Sequence, residues 1–238
     1  MKGVPGTEGD RRLRPALWEY NYYLMTLLRQ AFEEQIRKHL EPGKPARVID
    51  FGCGTRPYEV LFQGRAQYVG VDLADNPKAD VHATPGQPVP LPDGAADMVV
   101  STQVLEHVVD VDGYLAESAR LLKPGGVLLL STHGFWTYHP YPTDVRRWTC
   151  QGLKMDIEKH GFRVESMCGC LGPLAYTTQL RLQLLRGALY QVGRVAYPLI
   201  GACSVMAQVL MMLEDAITPK EIGQQNSAIY VVAARKLG

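Results

Sequence analysis

The chain has almost no charge imbalance: 25 Lys and Arg stand against 24 Asp and Glu, a formal net charge of +1 over 238 residues. That balance supplies no strong field, so nucleic acid is not an expected partner. Cysteine is scarce as well, and the five present (Cys53, Cys150, Cys168, Cys170 and Cys203) are odd in number and scattered. They make neither a disulfide framework nor a C-x-x-C metal pattern, so no metal is expected and a reducing, cytoplasmic setting is. The apolar core of a signal peptide is missing after Met1-Lys2-Gly3. Internal repeats and low-complexity tracts are missing too. The length is that of a single domain, residues 1–238, large enough to bury a full core.

What is present is an alternation of short apolar runs with helical periodicity. Residues 13–40 place Leu24, Leu27, Leu28, Ala31, Ile36 and Leu40 at helical spacing and stop at Glu41-Pro42-Gly43, which predicts one long helix. Strands are expected at 47–51, 67–72, 79–82, 97–101 and 127–131, with a helix at 113–123 that ends at Pro124-Gly125-Gly126. A helix at 150–159, a strand at 162–167 and a last strand at 228–233 follow. Strands that alternate with helices and carry unbroken apolar runs predict an α/β protein with a parallel sheet covered on both faces.

The first strand runs into a glycine loop, VIDFGCGTRPY, residues 48–58. Ligands of such sheets bind at the carboxyl ends of the strands, and glycine permits a tight turn and close backbone approach there. Asp50 lies inside the motif and Asp72 ends the second strand, where an acid can accept hydrogen bonds from ribose hydroxyls. The pattern suits an adenosine-type cofactor. It opposes a nicotinamide dinucleotide, because the third glycine of G-x-G-x-x-G is replaced by Pro57. On these residues alone, a structural turn without a ligand is the alternative.

VIDFGCGTRPY, VGVDLADNP, VPLPDGAADMVVSTQVLEHV, RLLKPGGVLLLSTHG and HGFRVESM stand in the order and spacing of the class I S-adenosylmethionine-dependent methyltransferases. The chain resembles that family, in its small-molecule, methyltransferase-domain-11-like group, over about residues 47–167 and again at 228–236. The resemblance implies a Rossmann-like, doubly wound seven-strand sheet, mostly parallel with an antiparallel last strand. It implies S-adenosyl-L-methionine as cofactor, with Asp50, Gly52 and Gly54 at its amino-acid end and Cys53 as a small residue between them. It further implies Asp72 on the ribose, Leu73 on the adenine, Ala83 near the adenine edge and Gln103 along the methionine portion. A cofactor-binding protein of this fold without turnover is the competing reading, and the intact glycines and acids argue against it.

The most unusual stretch is STHGFWTYHPYPTDVRRWT, residues 131–149, which follows the fifth strand at the same sheet edge. Its aromatics offer flat apolar walls with polar tips. His133 and His139 are the preferred general bases and Asp144 the runner-up, while Trp136, Tyr138, Tyr141 and Arg147, with His107, are candidate acceptor contacts. Alternatively, Asp144 pairs with Arg147 to pin the loop and the histidines are merely solvated. The pattern resembles methyltransferases of sugar and polysaccharide assembly, which implies O-methylation of a small-molecule hydroxyl on a sugar or secondary metabolite. Transfer to carbon or nitrogen stays open.

Two flanks complete the reading. Residues 1–45 form a helical cap whose WEYNYYLMTLL segment either lids the cofactor or docks on the sheet. Residues 174–217 are expected as a helical hairpin inserted before the last strand. Residues 195–213 carry no charge and are long enough to span a bilayer, yet a single crossing would strand the last β-segment on the far side. The hairpin is therefore expected to cover the acceptor, to form a homodimer contact, or to make a peripheral, in-plane membrane contact.

Overall fold

The structure, a computed structural model, describes residues 8–140 and 143–238; Tyr141 lies outside the described residues. The chain opens with α1 (Glu8–Leu13) and α2 (Tyr22–His39). Next come β1 (Arg47–Phe51), β2 (Gln67–Leu73), β3 (Val81–Ala83), β4 (Ala96–Thr102), α3 (Val111–Leu121) and β5 (Leu122–His133). The remainder is α4 (Cys150–Lys159), β6 (Phe162–Cys170), α5 (Pro173–Val192), α6 (Tyr197–Ile217), α7 (Lys220–Gln225) and β7 (Ile229–Lys236).

The seven strands make one sheet in the order β3-β2-β1-β4-β5-β7-β6. β1 runs parallel to β2, with Val48 opposite Tyr68, and parallel to β4, with Val48 opposite Met98. β7 lies antiparallel between β5 and β6. The chain winds outward in both directions from β1 and β4, so the carboxyl ends of those two strands splay apart and open a crevice.

Successive strand residues point to opposite faces, and both faces are covered. On one, Val48, Met98, Val100, Leu129 and Val231 meet Leu24, Leu28, Phe32 and Ile36 of α2. On the other, Ile49, Val99, Leu128, Leu130 and Val232 meet Leu115 of α3 and Leu153 and Ile157 of α4. Helix starts are capped locally: the Asp110 carboxylate accepts from the Gly113 N–H at 2.9 Å, and the Thr149 hydroxyl accepts from the Gly152 N–H at 3.1 Å. The second cap sets where the loop after β5 ends.

One expectation is corrected. Residues 13–40 are not one helix, because turns occupy 14–21 between α1 and α2. Pro15 is the cause: its ring keeps Arg14 out of the helical region and removes a donor. The glycine loop also leads into no α-helix, only a single 3-10 turn at Glu59–Phe62. A third glycine serves to let a helix pack close to its strand, and with no helix to pack, Pro57 is tolerated. The flanks resolve as well. α2 docks on the sheet, and α5 and α6 form a hairpin between β6 and β7.

Candidate active site

The glycine loop crosses from β1 toward β2, where the N–H groups of Gly52 and Cys53 both donate to the Val71 carbonyl at 2.8 and 3.1 Å. Gly52 has φ +89°, and a Cβ there would sit 2.4 Å from Cγ2 of Val104. Glycine is thus required both by the backbone angle and by the close passage of the chain after β4. Asp72 ties the loop down. Its Oδ2 accepts from the Gly54 N–H and from the Asn76 side-chain amide, both at 2.7 Å, and Oδ1 accepts from the Leu73 N–H at 2.8 Å. The same Asn76 amide donates to the Gly54 carbonyl at 2.8 Å. Oδ1 retains lone-pair capacity for a further donor.

Asp50 is buried, its Oδ2 accepting from the Tyr68 hydroxyl while Oδ1 has no partner among the described residues. Burial pushes its carboxyl up to about 7, against the Tyr68 hydrogen bond, and the Asp72 charge raises it further. At the end of β4 the Thr102 hydroxyl is likewise buried and unpartnered. Gln103 follows in the left-handed region at φ +55°, a strained setting for a non-glycine residue. It is held there by its N–H on the Ser131 carbonyl and its amide on the Ser131 hydroxyl, both at 3.0 Å. These residues, with Leu73, Tyr58 and Arg12, line a cavity of about 500 Å³, within the usual range for small-ligand sites.

Two of the expected cofactor contacts stand differently from the rest. Cys53 lines the cavity, but burial pushes its thiol up to about 12, which makes it an inert small residue. Ala83 packs into the core with Val71 and Val89, on the strand beside the exposed Leu73 with which it pairs.

The loop after β5 forms a second wall. His133 is 4% exposed, with its ring stacked on Trp136 at 5.1 Å and edge-on to His139 at 6.2 Å. Behind it lies Glu106, wholly buried, with Oε1 3.1 Å from the His133 Nδ1. Burial drives both groups toward neutrality: the His133 imidazole falls to about 3 and the Glu106 carboxyl rises. The Glu106 carboxyl accepts from the Thr132 hydroxyl at 2.9 Å, and its carbonyl accepts from the Val145 N–H at 2.9 Å, so one buried residue anchors both ends of the loop.

Asp144 is gripped by Arg147 through two bonds at 2.5 and 2.7 Å and also accepts from the His139 N–H at 2.7 Å. The arginine hydrogen bonds hold the Asp144 carboxyl down at about 2. Arg147 spends its other donors on the Trp136, Thr137 and Arg146 carbonyls, so this pair pins the loop. The His107 ring faces His139 at 5.8 Å and contacts the Thr143 carbonyl, while Tyr138 projects into solvent. Burial, then His107, lowers the pKa of His139, and Arg12 contributes. Arg12 itself lines the cavity.

Sequence patterns had not singled out Arg12, Asn76, Thr102 or Glu106. Asn76 and Glu106 carried a usable signal, each being polar within a recognised motif, VGVDLADNP and STQVLEHV. Arg12 had none, because its place depends on a contact between distant segments.

Residues 17–167 match a methyltransferase-domain family. A probable S-adenosylmethionine-dependent methyltransferase of Mycolicibacterium smegmatis is 30% identical, the alignment taking in 68% of this chain and 66% of that protein. A malonyl-[acyl-carrier protein] O-methyltransferase of Serratia marcescens is 35% identical over 38% of this chain and 39% of its own length. The chain thus spans at most two thirds of the length of these curated relatives. Among solved structures, an S-adenosylmethionine-dependent methyltransferase from Mesorhizobium loti superposes with a TM-score of 0.54 at 16% identity, over 87% of this chain and 98% of that one. The family match runs from the segment before α2 into β6 and so contains both strands whose ends open the cavity. The chain belongs to the methyltransferase-domain family of class I S-adenosylmethionine-dependent methyltransferases.

Proposed function

We propose that the chain transfers a methyl group from S-adenosylmethionine to a hydroxyl of a small molecule held against the β5–α4 loop, with His139 as general base. The observation that carries this reading is the convergence, at one sheet edge, of a cofactor-sized cavity and a histidine-aromatic wall, tied together where Gln103 of the cavity bonds to Ser131, two residues before His133 on β5.

The cavity's own residues fit the cofactor. The unpartnered Asp50 Oδ1 and Thr102 hydroxyl are polar groups in search of a ligand, Gly52 keeps a Cβ out of the cradle, and Leu73 offers an apolar shelf. Asp72 Oδ1 has capacity left for a ribose hydroxyl. When bound, S-adenosylmethionine supplies a methyl group activated by its sulfonium centre. What the chain adds is positioning, which can account for most of the acceleration, and removal of the acceptor's proton, which adds about 10²–10⁴.

The choice of base follows from the environments. A histidine at about 3 and a carboxylate at about 2 hold protons too weakly to serve near neutrality, which sets aside His133 and Asp144. His139 is neutral in this setting and less enclosed than His133, and the Asp144–Arg147 pair fixes its backbone. A base is needed by a hydroxyl and not by a neutral amine, which favours oxygen as the acceptor atom. The relative named an O-methyltransferase points the same way. A sugar or secondary-metabolite alcohol suits the polar-tipped aromatic wall.

The test is incubation of the purified chain with methyl-labelled cofactor and a small-molecule extract, with mass analysis of the labelled products. Methyl groups on oxygen are expected, and label confined to nitrogen or carbon would reject the hydroxyl reading. With the acceptor in hand, His139→Ala should lower kcat by about 10² while cofactor affinity stays unchanged. Unchanged turnover in that variant would reject the base assignment.

A further inference from the structure

Helix α6 is inverted relative to an ordinary surface helix. Its buried positions are Ile200, Ser204, Gln208 and Met211, two of them polar. The Gln208 amide is spent on the backbone at the start of α2 and just before it, accepting from the Tyr23 N–H at 2.9 Å and donating to the Glu19 and Tyr20 carbonyls at 3.1 and 3.0 Å. The outward positions Leu199, Met206, Val209, Leu210, Leu213 and Ile217 are all apolar and exposed, Met206 at 69%. Surface helices normally present the opposite pattern. At the hairpin tip Val192 and Val195 stand clear of the protein, Val195 at 80%, beside Tyr190 and Tyr197, whose rings meet edge-on at 5.8 Å. A continuous apolar face of this extent marks a docking surface.

Charge decides what docks. No Asp or Glu occurs between Glu165 and Glu214, and the charged residues of that stretch are Arg181, Arg186 and Arg194. At its base the acids turn inward, Glu214 onto the Thr178 hydroxyl and Asp215 onto the Gly172 N–H, both at 2.9 Å. A second copy of this surface would bring arginines to arginines with no acid to pair them. An anionic bilayer supplies the missing charge, and tyrosines favour its headgroup level. The segment Arg194–Ile217 is long and apolar enough to cross a membrane. It does not need to cross, because α5 leaves β6 and the chain after α6 returns to β7 of the same sheet. The family match ends at residue 167, so the hairpin lies outside the matched segment.

We propose that the α5–α6 hairpin docks the protein on the surface of an anionic membrane, with the outward face of α6 at the acyl boundary and Arg181 and Arg194 among the headgroups. The base of the hairpin touches the acceptor wall: Tyr176 packs on Phe135 and Trp136, and the Thr137 hydroxyl donates to Gln183 at 3.3 Å. Docking therefore sets that wall beside the lipid.

Flotation of the full chain with phosphatidylcholine vesicles, with and without phosphatidylglycerol, tests this. Binding is expected to the anionic vesicles, to weaken with salt, and to fall about fivefold for each of Arg181→Ser and Arg194→Ser. Met206→Glu combined with Leu213→Glu should abolish binding while leaving cofactor affinity and Tm unchanged. Equal binding to neutral vesicles would overturn the anionic assignment. Failure to bind either vesicle would overturn the membrane dock. A dimer in sedimentation that the paired glutamate variant splits, with no vesicle binding, would assign the face to a second copy.

Discussion

Asp50 should make cofactor affinity depend on protons. Its carboxyl titrates at about 7 in the folded chain, because it is buried on β1 with only the Tyr68 hydroxyl as donor. If Oδ1 receives the ammonium of the cofactor's amino-acid end, only the ionised form can pair with it. Below about pH 7 binding must first expel the proton, so the apparent affinity should fall about tenfold for each unit of pH. The proton released on binding should be about one half at pH ~7 and approach one at pH ~6. Titration calorimetry in two buffers of different ionisation enthalpy counts that proton directly. Asp50→Asn should abolish the release, flatten the profile, and weaken binding above about pH 7 by about 1–3 kcal/mol. Equal affinities at about pH 6 and pH 8, with no proton released by the unaltered protein, would refute the assignment of Asp50 to the ammonium.

The same residue governs stability in the absence of cofactor. Its folded pKa is raised, so its contribution is fully present below about pH 4 and lost as pH climbs through about 7, a swing of about 4 kcal/mol. Urea midpoints of Asp50→Asn should therefore gain on the unaltered protein between about pH 4 and pH 7 and hold that lead above it, and curves that stay parallel from pH ~5 to ~7 would contradict the burial argument. Gly52→Ala should cost about 1–2 kcal/mol from its left-handed backbone alone, with the overlap on Val104 added. Thermal melts should show part of that loss recovered by Val104→Ala, and a Gly52→Ala protein of normal Tm would mean that the loop is not constrained as described.

The cofactor half of this protein was legible because its signals are local. Val48 and Ile49 bury to opposite faces, Gly52 must turn at positive φ, and Asp72 must end β2 beside the glycine loop. Steric and hydrophobic rules acting over a few residues announce all three in the sequence. They failed at residues 13–40 only where Pro15 breaks the apolar periodicity. The acceptor half was legible as a composition and not as an arrangement. The sequence offered His133 and His139 as equally preferred bases, with Asp144 behind them. Burial under Trp136 and against Glu106 neutralised the first, and the grip of Arg147 acidified the third. The uncharged run at 195–213 was likewise visible, but which side of α6 faces outward was settled by Gln208 spending its amide on residues 19–23. Protonation states and exposed faces are set by what distant segments bring within a few ångströms, so the sequence alone determined the sheet and its glycine loop, and the tertiary structure decided which histidine is buried against a carboxylate and which face of α6 is left exposed.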